Sequence, residues 1–232
     1  MKLTAASSLA RRSFLSRLGA AAAAAGATFA AIAPDAQAQT SSDGRWQPAR
    51  HQQDDWFDQL PGKHRFFFDT STQDSLTDAI QFAGNYYSAN KGGYGLEHAD
   101  LAVIVGMRHH SAPFAFNDAM WAKYGATLAK RAQFTDPKSK EPPKINVYTP
   151  VAPAGPAPAR SLAGLMALGV QFAICDLSTH GIARVIADAS GGTPEGVYKE
   201  ITANLIDRAR LVPAGIVAVN RAQERGYSIT GS

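Results

Sequence analysis

Cys175, His180, His109 and His110 are the side chains of this sequence that invite nucleophilic or metal chemistry. Cys175 is the sole cysteine in 232 residues. A thiol attacks or ligates only as the thiolate, and a free thiol ionises near ~8.5, so a reactive cysteine needs surroundings that favour the anion. A helix predicted to begin near Ser178 would aim its positive end at Cys175, and His180 in its first turn offers a cationic neighbour. Each is worth about 1 kcal/mol when partly exposed. Asp176 opposes both by disfavouring a second negative charge. The bland alternative is a buried cysteine acting as a small hydrophobe. His109 and His110 follow the apolar run that ends at Gly106, which places them on the same sheet edge as Cys175 if the strands are parallel. One of them can then serve as a proton donor or anion contact beside the thiol, or simply as loop polarity. Adjacent residues rarely share a metal, and no His-x-x-x-His or Cys-x-x-Cys spacing occurs, so no closed metal site is predicted. A set of Cys175, His180 and His109 or His110 would still suit zinc or copper.

The elements that must position these residues alternate in type. Gly169–Cys175 is a short apolar run followed by a helical pattern through Ile182, Val185 and Ile186, the signature of a buried parallel strand feeding a helix. Asp100–Gly106 is the clearest strand, β-branched and continuously apolar. His64–Asp69, Ala209–Val212 and Tyr227–Thr230 supply three more. Ser71 and Asp74 predict a capping box for a helix with Leu76, Ala79, Ile80, Ala83 and Tyr87 on one face. Further helices are expected over 116–124, over 161–168 with Gly169 as the C-cap, from Thr193-Pro194-Glu195, and from Pro213 to Gly226. Lys91-Gly92-Gly93-Tyr94-Gly95 predicts a tight turn, since its spacing fits no phosphate-cradling loop. Strand alternating with helix about five times calls for a three-layer α/β/α fold with a mainly parallel, about five-stranded sheet. In such sheets ligands collect beyond the carboxyl ends of the strands, where Cys175 falls.

Two segments resist periodic reading. Thr40–Leu60 is polar, with Trp46, Trp56 and Phe57 as anchors, and is expected to pack on the domain or on a neighbouring subunit as an irregular arm. From Ala126 to Ala159 the pattern dissolves, and seven prolines lie between Asp136 and Pro158. Proline denies both helix and ladder hydrogen bonds, so 126–159 is predicted to be an excursion from the domain.

The formal charge of +4 does not indicate nucleic-acid binding. Lys2, Arg11, Arg12 and Arg17 against Asp35 put +3 of it in residues 1–38, leaving +1 for the rest and no basic stripe. Ala10-Arg11-Arg12-Ser13-Phe14-Leu15-Ser16 resembles the twin-arginine export motif, with Ala10 where Ser or Thr is common and Ser16 where Lys is. An alanine-rich apolar stretch from Leu18 to Ile32 and Ala36-Gln37-Ala38 complete a signal peptide over 1–38, cleaved after Ala38. The mature chain is therefore expected in the periplasm, touching a membrane only through that signal. A lone cysteine there excludes an intramolecular disulfide. No Gly-x-Ser-x-Gly elbow supports a serine hydrolase, and Glu97-His98 lacks the zincin frame.

The second half resembles the DsrE/DsrF-like family. The matching features are Leu168-Gly169-Val170 before the strand ending at Cys175, then Gly181-Ile182, then Leu211-Val212-Pro213-Ala214-Gly215-Ile216-Val217-Ala218-Val219, and Gln223-Glu224-Arg225-Gly226-Tyr227. The resemblance implies a flavodoxin-like domain over 61–232, homo-oligomeric assembly, no cofactor, and a catalytic cysteine matching Cys175. That cysteine would carry sulfane sulfur as a persulfide between a donor and an acceptor, assisted by His109, His110 or His180. The family's relay members are cytoplasmic, and the proline-rich excursion is extra. The competing readings are a non-catalytic module binding a small ligand or metal at the same edge, and an assembly subunit.

Overall fold

Five strands form one all-parallel sheet in the computed structural model, which describes residues 47–150 and 160–231. A single helical turn, Trp56–Gln59 (α1), precedes the strand His64–Thr70 (β1). Gln73–Tyr94 (α2) leads to Leu101–Met107 (β2), and a 3-10 segment at Ala112–Ala115 leads to Asp118–Ala132 (α3). Leu162–Ala167 (α4) precedes Gln171–Cys175 (β3), which runs directly into Asp176–Ser190 (α5). Pro194–Thr202 (α6), Ala209–Val212 (β4), Gly215–Gln223 (α7) and Ser228–Gly231 (β5) complete the order. The strands lie in the order β4-β3-β2-β1-β5, with Phe68 beside Val105, Gly106 beside Ala173 and Cys175 beside Val212. This is the three-layer α/β/α, flavodoxin-like architecture that the alternation of elements predicts. Three strands, β2, β3 and β4, step outward from β1 on one side, and β5 closes the other.

The period of two along each strand divides the core between two faces. Phe68, Val103, Val105, Met107, Phe172 and Ile174 pack under α2, α3, α4, α5 and α6. Phe67, Ala102, Ile104, Ala173 and Val212 face the other way, against Ala218 and Ala222 of α7 and against Trp56 and Phe57. Leu101–Met107 is buried at every position because both of its faces are covered. The second face has a single long helix, and the arm completes it. Tyr227 and Arg65 both donate to the Phe57 carbonyl, at 2.7 and 3.0 Å, and buried Arg225 donates to Asp58 at 3.2 Å. The arm's Arg50–Leu60 thus belongs to the compact unit Arg50–Ser232.

Three local expectations are corrected. The glycine-rich stretch at 91–95 is not a tight turn: α2 runs through Gly92 and Gly93 to Tyr94 and stops at Gly95, whose φ of +67° is the left-handed C-cap. Each helical glycine costs about 1 kcal/mol relative to alanine, but these occupy only the final turn, where Lys91 also pairs with Glu97. The capping box lies one residue later than predicted, with Thr72 and Ser75 exchanging hydrogen bonds. The excursion begins after Ala132 rather than at Ala126, because Leu128, Ala129 and Ala132 continue the buried face of α3. Residues 1–38, expected to be a signal peptide, Trp46 and residues 151–159 of the excursion lie outside the described residues.

The described part of the excursion returns to the core through Asn146. Its side-chain amide, fully buried, donates to the Phe114 and Phe116 carbonyls at 2.7 and 2.9 Å, and its backbone N–H donates to Asp118 at 2.8 Å. Tyr148 then stacks edge-on against Phe114 and hydrogen-bonds Thr77 at 2.8 Å. Asn146→Ala should orphan two buried carbonyls and cost about 2 kcal/mol. A melting curve should show this as a drop of roughly 4–8 °C for a domain of this size; an unchanged Tm would mean that the excursion is not anchored there.

Candidate functional site

Three successive connections, β1 to α2, β2 to α3 and β3 to α5, leave for the same face of the sheet, whereas β4 to α7 leaves for the other. The carboxyl ends of β3 and β4 therefore flank a topological switch point, the place where open α/β sheets hold their ligands. Cys175 is the last residue of β3, directly beside Val212 at the end of β4. The sequence argument put the thiol on this edge, and the strand order adds that it lies at the crevice.

Cys175 also caps the helix that follows it. Helix α5 begins at Asp176, two residues before the expected start, and the Cys175 sulfur accepts the Ser178 N–H at 3.4 Å. The helix N-terminus and one backbone amide thus meet at the sulfur itself. Thr179 donates to the Cys175 carbonyl at 3.0 Å and fixes the turn. Ser178 ties this turn to the neighbouring strand end, its hydroxyl accepting the His109 N–H at 2.9 Å. His109 makes this contact in a left-handed conformation, φ +56°, that histidine adopts more readily than most residues.

A charged pair missed by the sequence reading lies on the same edge. Asp69 is the penultimate residue of β1 and Arg108 follows β2; Arg108 Nε reaches Asp69 Oδ1 at 2.9 Å and Nη2 reaches Oδ2 at 2.8 Å, a bidentate fork. The hydrogen bond to Asp69 raises the Arg108 pKa against the opposing effect of burial, and the charges of Asp69 and Cys175 add to the rise. Arg108 packs on Gly215, where a Cβ would stand 2.6 Å from its Cδ, so the start of α7 approaches only because it is glycine. Ala214, in the N-cap position of α7, has no side-chain oxygen to accept the first N–H groups of that helix. The signal for this pair was available as opposite charges ending two adjacent parallel strands.

Exposed apolar side chains project from the first turns of both helices. Leu177 of α5 is 69% exposed and Ile216 of α7 is 62% exposed, with Val217 next to it. Cys175 itself is 6% exposed.

The three histidines do not converge. His109 and His110 meet edge to face with centroids 3.8 Å apart. His110 Nδ1 contacts the Arg131 carbonyl at 2.8 Å, which ties it to the end of α3. His180 stacks flat on Tyr198 of α6 at 4.0 Å and pairs with Asp176 at 3.6 Å. Asp176 also accepts the Tyr198 hydroxyl at 2.7 Å, and burial followed by this carboxylate pushes the Tyr198 pKa up to about 12. Asp176, expected to oppose the thiolate, is thus engaged with α6. No group of three or more His, Cys, Asp or Glu side chains is placed to hold a metal among the described residues.

Burial, reinforced by His110, Arg131 and Arg108, lowers the His109 pKa below the ordinary 6.5. The unfolded chain therefore takes up this proton first as pH falls through 6.5, so the contribution to stability declines on acidification; exposure of the ring keeps it small. A proton NMR titration should give His109 a midpoint below 6.5, and His110→Gln should move it upward. A midpoint at or above 6.5 would contradict the electrostatics of this edge.

No family model matches the chain, and no curated protein matches it. Among solved structures it is similar to a protein of unknown function, MTH1491 from Methanobacterium thermoautotrophicum, at 13% identity and a TM-score of 0.37, over 73% of this chain and 100% of that one.

Proposed function

We propose that this protein is a sulfane-sulfur carrier or transferase of the DsrE/DsrF-like kind, exported to the periplasm, with Cys175 as the residue that is loaded. The observation that carries this reading is the position of Cys175, capping α5 at the switch-point crevice within the field of Arg108. The Cys175 thiolate attacks the terminal sulfur of a donor R–S–SH. The bond from Sγ to that sulfur forms, the donor S–S bond breaks, and its electron pair leaves with R–S⁻. The thiol proton passes to neutral His109 or solvent and on to R–S⁻, so one thiol and one persulfide exchange roles without net oxidation. The depressed His109 pKa supports its part as acceptor. His110 and His180 support the walls of the site through Arg131 and Tyr198.

Arg108 and the uncapped start of α7 favour the anionic persulfide once formed. The low exposure of Cys175 favours a donor that presents a slender sulfur terminus. Leu177, Ile216 and Val217 suit the apolar surface of a donor or acceptor protein, or of a second copy in a homo-oligomer. The test is an intact mass of the purified mature chain after exposure to a polysulfide donor. Gain of one sulfur, reversed by a thiol reductant, is the expected result. No gain would remove the carrier function and leave Cys175 as a packing residue.

A further inference from the structure

Hydrogen bonds knit the carboxyl ends of three strands together around Arg108, and Ser178 supplies the one that reaches the sulfur-bearing turn. Met107 of β2 lies beside Ile174 of β3, so the next residue on each is Arg108 and Cys175. On the side of β1, the Arg108 N–H donates to the Thr70 carbonyl at 3.1 Å and to the Ser111 hydroxyl at 3.0 Å, and its guanidinium grips Asp69. On the side of β3, the peptide that follows Arg108 is held by Ser178, whose hydroxyl accepts the His109 N–H at 2.9 Å.

That peptide is under constraint. His109 has a φ of +56°, a left-handed conformation that a non-glycine residue keeps only where its surroundings impose it. Two hydrogen bonds of 2.9 Å impose it here, from the His109 N–H to Ser178 and from the His110 N–H to the Ser71 carbonyl. Without the Ser178 hydroxyl, His109 relaxes to a negative φ, and the peptide it shares with Arg108 turns away from α5. Ser178 meets the sulfur through its backbone, its own N–H reaching Cys175 Sγ at 3.4 Å. The two contacts are separable, since a side-chain substitution deletes the hydroxyl and keeps the N–H.

We propose that Ser178 is a positioning residue for Cys175, its hydroxyl fixing the Arg108–His109 peptide and through it the approach of the guanidinium to the sulfur. The inference rests on the reading of Cys175 as the reactive group, and it concerns how readily that sulfur reacts rather than which donor loads it.

The experiment is the pH profile of iodoacetamide alkylation of the purified mature chain, followed by intact mass. Ser178→Ala keeps α5, alanine being the best helix former. Below the midpoint of the profile it should react about threefold more slowly than the parent, short of the roughly fivefold expected for loss of the charge itself. Its midpoint should move to higher pH, and the plateau at high pH, where every thiol is ionised, should not change. Ser178→Thr keeps a hydroxyl and should keep the parental profile. Ser178→Ala added to Asp69→Ala and Arg108→Met should have no further effect, because the group it positions is gone. An unchanged profile in Ser178→Ala, a lowered plateau without a shifted midpoint, a shifted midpoint in Ser178→Thr, or equal slowing in the background without Arg108 would overturn the proposal. Failure of the sulfur-carrier reading shows separately, as a parent chain that alkylates with the expected profile yet gains no mass from polysulfide.

Discussion

Cys175→Ser should abolish sulfur loading completely while leaving the fold within about 1 kcal/mol of the parent. The two roles of this residue separate in that variant. As a nucleophile the sulfur is irreplaceable, since a serine hydroxyl is not ionised at neutral pH and forms no persulfide. As a helix cap it is replaceable, since a serine oxygen is among the best acceptors for an N–H two or three residues on, and the Ser178 amide is already aimed at that position. Cys175→Ala removes both roles and should lower stability by about 1 kcal/mol through the lost cap. Because Cys175 is the sole cysteine, neither variant retains a thiol that could be loaded instead. Intact mass and a melting curve on the three proteins decide it. Loading that persists in Cys175→Ser would place the sulfur elsewhere and end the account given of this edge.

The strand ending at Cys175 was legible because continuous apolar sequence between turn signals has few interpretations when a helical period follows it. The same holds for Leu101–Met107, buried throughout as its composition demands. Two helix ends were not legible. Gly92 and Gly93 read as a break on propensity alone, yet the twenty-two-residue α2 carries them because its earlier turns are fixed by Leu76, Ala79, Ile80, Ala83 and Tyr87. The end of α3 was hidden by the prolines beyond it, although Gly125, Leu128, Ala129 and Ala132 hold a helical spacing and are all buried. At the site, the sequence put Cys175 and His109 on one edge, and the structure joins them through Ser178. It could not reveal that His180 turns to Tyr198, because Tyr198 lies on the next helix and nothing in either segment encodes their stacking. It likewise could not rank Asp69 and Arg108, whose significance depends on β1 and β2 being neighbours.

That pair gives the second large expected effect. Asp69 is 9% exposed, and the Arg108 side chain beside it is 30% exposed. Asp69→Ala would strand a half-buried guanidinium and remove the fork that sets its direction. Breaking a buried pair from one side costs ~3–5 kcal/mol, and the partial exposure of Arg108 points to the lower end, about 3 kcal/mol. Replacing both partners is different, because an apolar pair of similar volume leaves no charge uncompensated. Asp69→Ala combined with Arg108→Met should therefore recover most of the stability. It should not recover the chemistry. Without the guanidinium, the anionic form of Cys175 loses a positive neighbour, and alkylation by iodoacetamide at fixed pH should slow by about fivefold, the effect of one charge worth about 1 kcal/mol. Arg108→Lys should fall between the two, keeping the charge while losing the bidentate geometry. If the double variant regains stability and also alkylates at the parental rate, Arg108 only braces the edge of the sheet. If stability returns and reactivity does not, the ion pair exists to hold a positive charge against the sulfur.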